Sequence, residues 1–179
     1  MAKQSFWSDP VLEPKRQYRW VMFIGGIPQW VIKKTAKPNF KVTESVHKYI
    51  NHTFHYPGRV EWQPIEVILV DPIAPDASRT IMNIIKAAGY HFPVDASDTS
   101  TMSKAKATAA LGNVVIEQLD AEGNAVDQWQ LINAWVSNVN MGQLDYEGDN
   151  MVDITLTITY DYAEMTLPGA LSGIDSADS

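Results

Sequence analysis

Cysteine is absent from the 179 residues, which excludes disulfides, thiolate zinc sites and thiol nucleophiles at once. No apolar run approaches the ~20 residues of a membrane-spanning helix, and Met1 to Trp7 lacks the apolar centre of a secretory signal. The expectation is a soluble protein that stays, at first, where it is made. An excess of positive charge is missing too: 14 Lys and Arg stand against 21 Asp and Glu, a net charge of −7. Proteins that grip nucleic acid neutralise phosphates with clustered Lys and Arg. The charge therefore argues against tight backbone binding, but not against passive passage of DNA.

Catalytic constellations are equally scarce. Gly25-Gly26 is followed by Pro28 and a strand rather than by Lys and a helix, so it is no phosphate loop. Neither a G-x-S-x-G nor an H-E-x-x-H motif occurs. His47, His52 and His55 crowd one segment, yet their spacing puts all three on neither one helix face nor one strand face. Asp145, Glu147 and Asp149 with Gly148 lack the residue order of a calcium loop. Asn51-His52-Thr53 is a glycosylation sequon without a secretion signal. Asp153 and Asp161, on one strand, would stand roughly 26 Å apart at ~3.3 Å per residue and cannot act as an acid/base pair. No catalytic, cofactor-binding or metal-ligating residue is expected, and no enzyme.

What the chain does contain is β structure. From Met151 to Tyr162 the residues alternate: Val152, Ile154, Leu156, Ile158, Tyr160 and Tyr162 on one side, Asp153, Thr155, Thr157, Thr159 and Asp161 on the other. Period-two alternation in Thr, Ile, Val and Tyr predicts one long half-buried strand with a core face and a polar face. Upstream, Gln17 to Ile24 and Gln29 to Thr35 flank the turn Gly25-Gly26-Ile27-Pro28 and predict a hairpin. Lys41 to Tyr49 is polar and β-permissive, Tyr56-Pro57-Gly58 signals a turn, and Ile65 to Val70 is a short buried strand. Ile81, Ile84, Ile85 and Ala88 recur at helical spacing after Pro75-Asp76 and stop at Gly89, which predicts one amphipathic helix packed on a sheet.

Tyr90 to Thr101 is a loop, and Ser103 to Leu111 suits either a short helix or more loop. Asn113 to Leu119 and Ala125 to Ile132 flank the turn Asp120 to Asn124 as a second hairpin. Asn133 to Asn150 reads as a long connection. The ends differ: residues 1–15 form an extended arm carrying Phe6 and Trp7, and residues 165–179 a flexible acidic tail. Between them, 16–164 is the folded domain. The expected fold class is mainly β, two packed, largely antiparallel sheets in a barrel-like arrangement with one flanking α-helix.

Two blocks carry a family resemblance. The first is Tyr56-Pro57-Gly58-Arg59-Val60-Glu61-Trp62-Gln63-Pro64-Ile65-Glu66-Val67, running on into the helix. The second joins Ala134-Trp135-Val136-Ser137-Asn138-Val139, Gln143-Leu144-Asp145-Tyr146 and Thr159-Tyr160-Asp161-Tyr162. In these, and in element order over most of 16–164, the chain resembles the tail tube protein of contractile-tailed bacteriophages, a family related to the inner tubes of contractile injection systems. The resemblance implies a structural virion protein, a subunit of stacked hexameric rings whose inner sheets join around a lumen.

Its implied partners are further copies of itself, the tail sheath protein, a tape-measure protein, baseplate and tail terminator proteins, and double-stranded DNA passing without sequence-specific binding. Its implied location is the virion tail, assembled in the host cytoplasm. On that reading Asp153, Thr155, Thr157, Thr159 and Asp161 are expected to line the lumen, since a mildly acidic hydroxyl face lets phosphates slide. Phe6, Trp7 and Trp30 are expected inter-subunit contacts. The alternatives are an inner-tube or baseplate-junction subunit of a contractile injection or secretion machine, and a small-ligand β-barrel binding protein, which would be a monomer with an apolar pocket.

Overall fold

Two four-stranded sheets share one core, and a two-stranded ribbon stands apart from both. The computed structural model describes residues 13–167; the arm residues Phe6 and Trp7 and nearly all of the expected tail lie outside them. In chain order come β1 (Trp20–Phe23), a 3-10 turn (Gln29–Val31), β2 (Ile32–Thr35), β3 (Asn39–Tyr49), β4 (His52–Gln63), β5 (Ile65–Val70), α1 (Ala77–Ala87) and α2 (Lys104–Leu111). Then follow β6 (Val114–Leu119), β7 (Ala125–Ile132), β8 (Trp135–Asn140), β9 (Asp153–Thr159) and β10 (Tyr162–Thr166). One sheet has the order β1-β6-β7-β10, the other β2-β5-β9-β8, and β3 pairs with β4 alone. Every pairing is antiparallel. The mainly β, two-sheet class expected from the sequence is what forms.

The core follows from alternation. Ile65, Val67 and Leu69 on β5 pair directly with Ile158, Leu156 and Ile154 on β9, and all six are at most 1% exposed. Across from them the first sheet contributes Met22, Val114, Ile116 and Leu131. α1 closes the assembly with Ala77, Ile81 and Ile84; of the stripe read from the sequence, Ile81, Ile84 and Ala88 are buried and Ile85 packs against the core. Asp76 caps that helix by accepting a hydrogen bond from the Arg79 amide at 2.8 Å, which satisfies one of the orphan N–H groups of the first turn. A second helix, α2, resolves the open segment Ser103 to Leu111: Ser103 caps it and Leu111 is wholly buried.

Four local expectations are overturned. The alternating stretch is not one strand. β9 ends at Thr159, the Asp161 amide bonds to the Ile132 carbonyl at 3.0 Å, and the chain continues as β10 in the other sheet. Tyr162 consequently faces outward, 43% exposed. Alternation cannot reveal such a switch, because both sheets border the same core. The segments around Gly25-Gly26 form no hairpin: β1 pairs with β6 and β2 with β5. The turn closes Ile24 onto Ile27, and the 3-10 turn then carries the chain between sheets. Gly25 is required there, since a Cβ would lie 2.6 Å from the Leu111 carbonyl oxygen.

The long connection after Asn133 contains β8, whose bulge at Ser137 breaks the alternation that would have announced it. Tyr56-Pro57-Gly58 is no turn but the interior of β4, where Gly58 and Arg59 together oppose Thr43. The Thr43 hydroxyl accepts from the Arg59 amide at 2.8 Å and donates to the Arg59 carbonyl at 3.2 Å, standing in for the interrupted ladder.

Candidate functional site

The β3–β4 ribbon is the feature that folding alone does not explain. Its strands of 11 and 12 residues contain no buried residue. Phe40, Val42, Val46, Tyr49, Phe54 and Tyr56 are all exposed, although β-branched and aromatic residues in strands ordinarily pack against neighbours. Only the root is fastened: Phe40 meets Trp62 edge-on with ring centroids 5.2 Å apart, and Trp62 leans on Tyr160 at 6.0 Å. An isolated two-stranded ribbon is marginal in water. This one carries Lys41, Lys48 and Arg59 against Glu44 and Glu61, and three of the four histidines of the chain. His55 Nδ1 lies 2.9 Å from Glu44 Oε1, while His47 and His52 pack on Phe54. The histidines are thus ribbon side chains, and among the described residues no group of three or more His, Cys, Asp or Glu is placed to hold a metal.

The outward face of the second sheet holds most of the residues expected at a lumen. Thr155, Thr157 and Thr159 stand in a row on β9, half-buried, with Glu66 opposite Thr157 on β5 and Asn138 opposite it on β8. Thr159 donates its hydroxyl proton to Ser137 at 2.9 Å, and Ser137 donates to the Thr157 carbonyl at 3.1 Å. Asp153 shares this face and is bound by Lys33 at 2.6 Å. Asp161 lies past the strand end, where Lys104 of α2 and Asn133 hold its carboxylate at 2.6 Å and 2.7 Å. Hydrogen bonds from Lys104 and Asn133 keep its carboxyl below the ordinary Asp range. Trp30, on the 3-10 turn, is 66% exposed.

One charge is deeply placed. Asp127, on the core face of β7, has a side chain 3% exposed and binds both Lys15 and Lys37, the latter at 3.0 Å. Burial pushes its carboxyl up, but the hydrogen bonds and charges of the two lysines prevail and hold it below the ordinary Asp value. Lys15 lies at the root of the N-terminal arm and Lys37 at the entrance to the ribbon. Asp127 therefore ties Lys15 and the entrance of the ribbon to the body, a role that sequence reading missed. The signal was there in an Asp at a core-facing parity of a predicted strand.

Two ends of the second sheet differ in kind. β5 and β9 are registered Ile65 to Ile158 and Val70 to Asp153, so the ribbon, which joins β2 to β5, leaves at the Ile158 end. The β8–β9 loop, 141–152, lies at the Asp153 end. That loop carries Asp145, Glu147 and Asp149 with no Lys or Arg, exposes Leu144, Tyr146 and Met151, and encloses a concavity of about 480 Å³.

Residues 93–164, from the loop before α2 into β10, match the family model of the T4-like virus tail tube protein gp19. No curated protein matches the chain. Among solved structures, a chain of the PVC sheath/tube terminator of an extracellular contractile injection system, in the extended state, superposes with a TM-score of 0.61 at 14% identity, covering 87% of this chain and 99% of that one. A chain of the PVC sheath–tube complex in the extended state gives 0.60 at 14% identity, covering 92% and 99%. The tube-terminating cap of the anti-feeding prophage gives 0.59 at 14%, covering 87% and 93%. Such identities speak to fold alone. Over residues 93–164 the chain is similar to the tail tube family, and its fold is that of these contractile injection system tube and terminator proteins.

Proposed function

We propose that the chain forms hexameric rings that stack into the inner tube of a contractile phage tail, through which DNA is delivered when a surrounding sheath contracts. The observation that carries this reading is the uncovered ribbon: some 23 residues of ordered β structure with an apolar side need a neighbour, and among the described residues no surface covers them. Free sheet edges supply the ring contact. β2 and β8 bound one sheet, β1 and β10 the other, and an unpaired edge is a template for another strand. Joining two different edges is a head-to-tail contact, which closes into a ring when the rotation allows it.

The dimensions suit DNA. Six copies with four strands each, at ~4.8 Å per strand, make a wall of about 115 Å circumference and about 37 Å diameter; side-chain layers of ~5 Å on opposite walls leave roughly 27 Å. Strand tilt widens this further. We assign the bore to the face with Asp153, Thr155, Thr157 and Thr159, where the Thr159 hydroxyl is engaged by Ser137 of the same sheet and the neighbouring Lys33 is already paired with Asp153. Asp161, at the rim of that face, and Trp30, with Phe6 and Trp7 from the arm, are assigned to rims and subunit contacts. The sheath, a tape-measure protein, and the baseplate and terminator proteins are the further partners this function requires, in a virion tail assembled in the host cytoplasm.

A competing face exists. The outward rows Val21–Glu117–Gln128–Thr166 and Phe23–Val115–Gln130–Glu164 of the first sheet hold two carboxylates and no cation. Electron microscopy of the purified protein at high concentration tests the function: hollow filaments are expected, and monomers alone would overturn it. Density for a bulky side chain in a Thr157→Trp tube decides between the two faces.

A further inference from the structure

The two helices differ from the rest of the molecule in charge. In a chain of net charge −7, α1 and α2 together carry Arg79, Lys86, Lys104 and Lys106 and no Asp or Glu. Arg79, Lys104 and Lys106 lie in the first turns of their helices, where the macrodipole is already positive and disfavours a cation. Arg79, Met82 and Lys86 recur at helical spacing along the outward face of α1, all exposed. Lys106 joins them from α2: its Cδ lies 3.3 Å from where a Cβ on Gly89 would stand, and the Gly89 amide donates to the Lys86 carbonyl.

The carboxylates that border this layer are engaged elsewhere. Asp71 accepts from Ser78 and Asp76 from the Arg79 amide, Asp98 is held by His91, and Asp161 by Lys104 and Asn133. Among the described residues, Arg79, Lys86 and Lys106 have no carboxylate within ion-pair distance. Three exposed cations on one face, in an acidic protein, call for a negative occupant.

We propose that Asp175 and Asp178 of the chain's own C-terminal segment dock on Arg79, Lys86 and Lys106, forming a tethered acidic cover over the helices. Residues 168–179 hold these two carboxylates and no Lys or Arg. Ile174 beside them matches Met82, 40% exposed between Arg79 and Lys86. The segment is within reach. It follows β10, which starts beside α2 where Asp161 meets Lys104 and runs toward Gln128. At ~3.3 Å per residue, Leu167 lies at most about 20 Å from Asp161 along the chain, and the stretch from Leu167 to Asp175 spans up to about 26 Å, enough to return. Pro168, Gly169 and Gly173 supply the turn. Tethering gives the segment a high local concentration, whereas each exposed ion pair is weak and screened by salt. The cover is therefore closed at low ionic strength and open to displacement by a more densely acidic partner. It belongs to the single chain and stands whether or not the chain forms tubes.

A carbodiimide, which joins a carboxylate directly to an ammonium group, reads the contact in the full chain. An equal mixture of isotope-labelled and unlabelled copies is treated while dilute, then digested and weighed by mass spectrometry. The expected products link Lys86 or Lys106 to Asp175 or Asp178 within one isotope class, and they vanish at about 1 M salt, where the Debye length is ~3 Å. Absence of these links at low salt, links indifferent to salt, or links joining the two isotope classes overturn the proposal. In parallel, poly-glutamate serves as an acidic probe of the layer. At low salt Asp175→Asn with Asp178→Asn should bind it at least about threefold more tightly than the wild type does, the scale of two exposed ion pairs, because the cover is gone. Equal affinity overturns the cover. So does a difference that persists undiminished when Lys86→Ala and Lys106→Ala are added to both chains.

Discussion

The two-sheet body and the β3–β4 ribbon are made of similar residues and behave oppositely. β9 offers Ile154, Leu156 and Ile158, all fully buried; β3 offers Phe40, Val42 and Val46, none of them buried. The body satisfies its apolar side within one chain, against a facing sheet and α1. Among the described residues the ribbon has no facing layer, and its support is at the root, in the Phe40–Trp62–Tyr160 contact and the Lys37–Asp127 pair. Burial inside one chain therefore measures folding, and exposure of equally apolar strand residues measures what assembly has left to cover. Lesions in the two regions should separate these quantities.

The largest effect belongs in the body. Leu156→Ala leaves a cavity at the centre of the β5–β9 pairing and should lower monomer stability by about 3 kcal/mol, read from the urea midpoint at unchanged slope. Assembly then falls only as far as the folded fraction falls. A loss below about 1 kcal/mol would mean that the shared core is looser than its burial implies.

At the joint between the regions the effect is intermediate. Asp127→Asn leaves Lys15 and Lys37 without their carboxylate, but both ammonium groups reach water, so about 2 kcal/mol is expected rather than the full cost of stranding buried charges. The wild-type pH profile carries the same signature. Because the folded carboxyl titrates below the ordinary Asp value of 3.8, its contribution is complete above that value and is lost as pH falls through the lower folded value. The acid limb of a stability curve should therefore flatten in D127N relative to the wild type. Identical limbs would remove Asp127 as the tie between Lys15, the ribbon and the body.

How far these regions are legible in the sequence depends on what each residue answers to. β5, α1 and the β6–β7 hairpin are readable to within a residue or two, because periodicity and turn chemistry there agree with the sheet they enter. The switch from β9 to β10 is invisible, since Tyr160 keeps the apolar parity while Asp161 turns the chain. β8 hides behind its bulge. The hydroxyl row Thr155, Thr157 and Thr159 is legible as one face, whereas the pairing of Asp161 with Lys104 bridges 57 positions and has no local signal. Hardest to read is the ribbon: Tyr56-Pro57-Gly58 has turn composition, and only pairing with Thr43 makes it a bulge within a strand.

That bulge permits a lesion confined to the ribbon. A Cβ on Gly58 would fall 2.4 Å from Thr43 Oγ1 and 2.9 Å from the Thr43 carbonyl oxygen, and the second of these is backbone that cannot rotate away. Gly58→Ala must displace the strand crossing, bending everything between the bulge and the tip, while the core residues of the body keep their contacts. Monomer stability should fall by less than about 1 kcal/mol, within the range of surface backbone changes, yet filament formation should fail because the tip is misdirected.

Val46→Ala sharpens the same contrast at the smallest scale. With Val46 already 45% exposed, the monomer should change by about 0.5 kcal/mol or less, and any larger deficit in filament yield reports area that only a neighbouring copy covers. If G58A and V46A instead lower monomer stability and filament yield in proportion, the ribbon draws its support from its own chain, and the division between what folding covers and what assembly covers is lost.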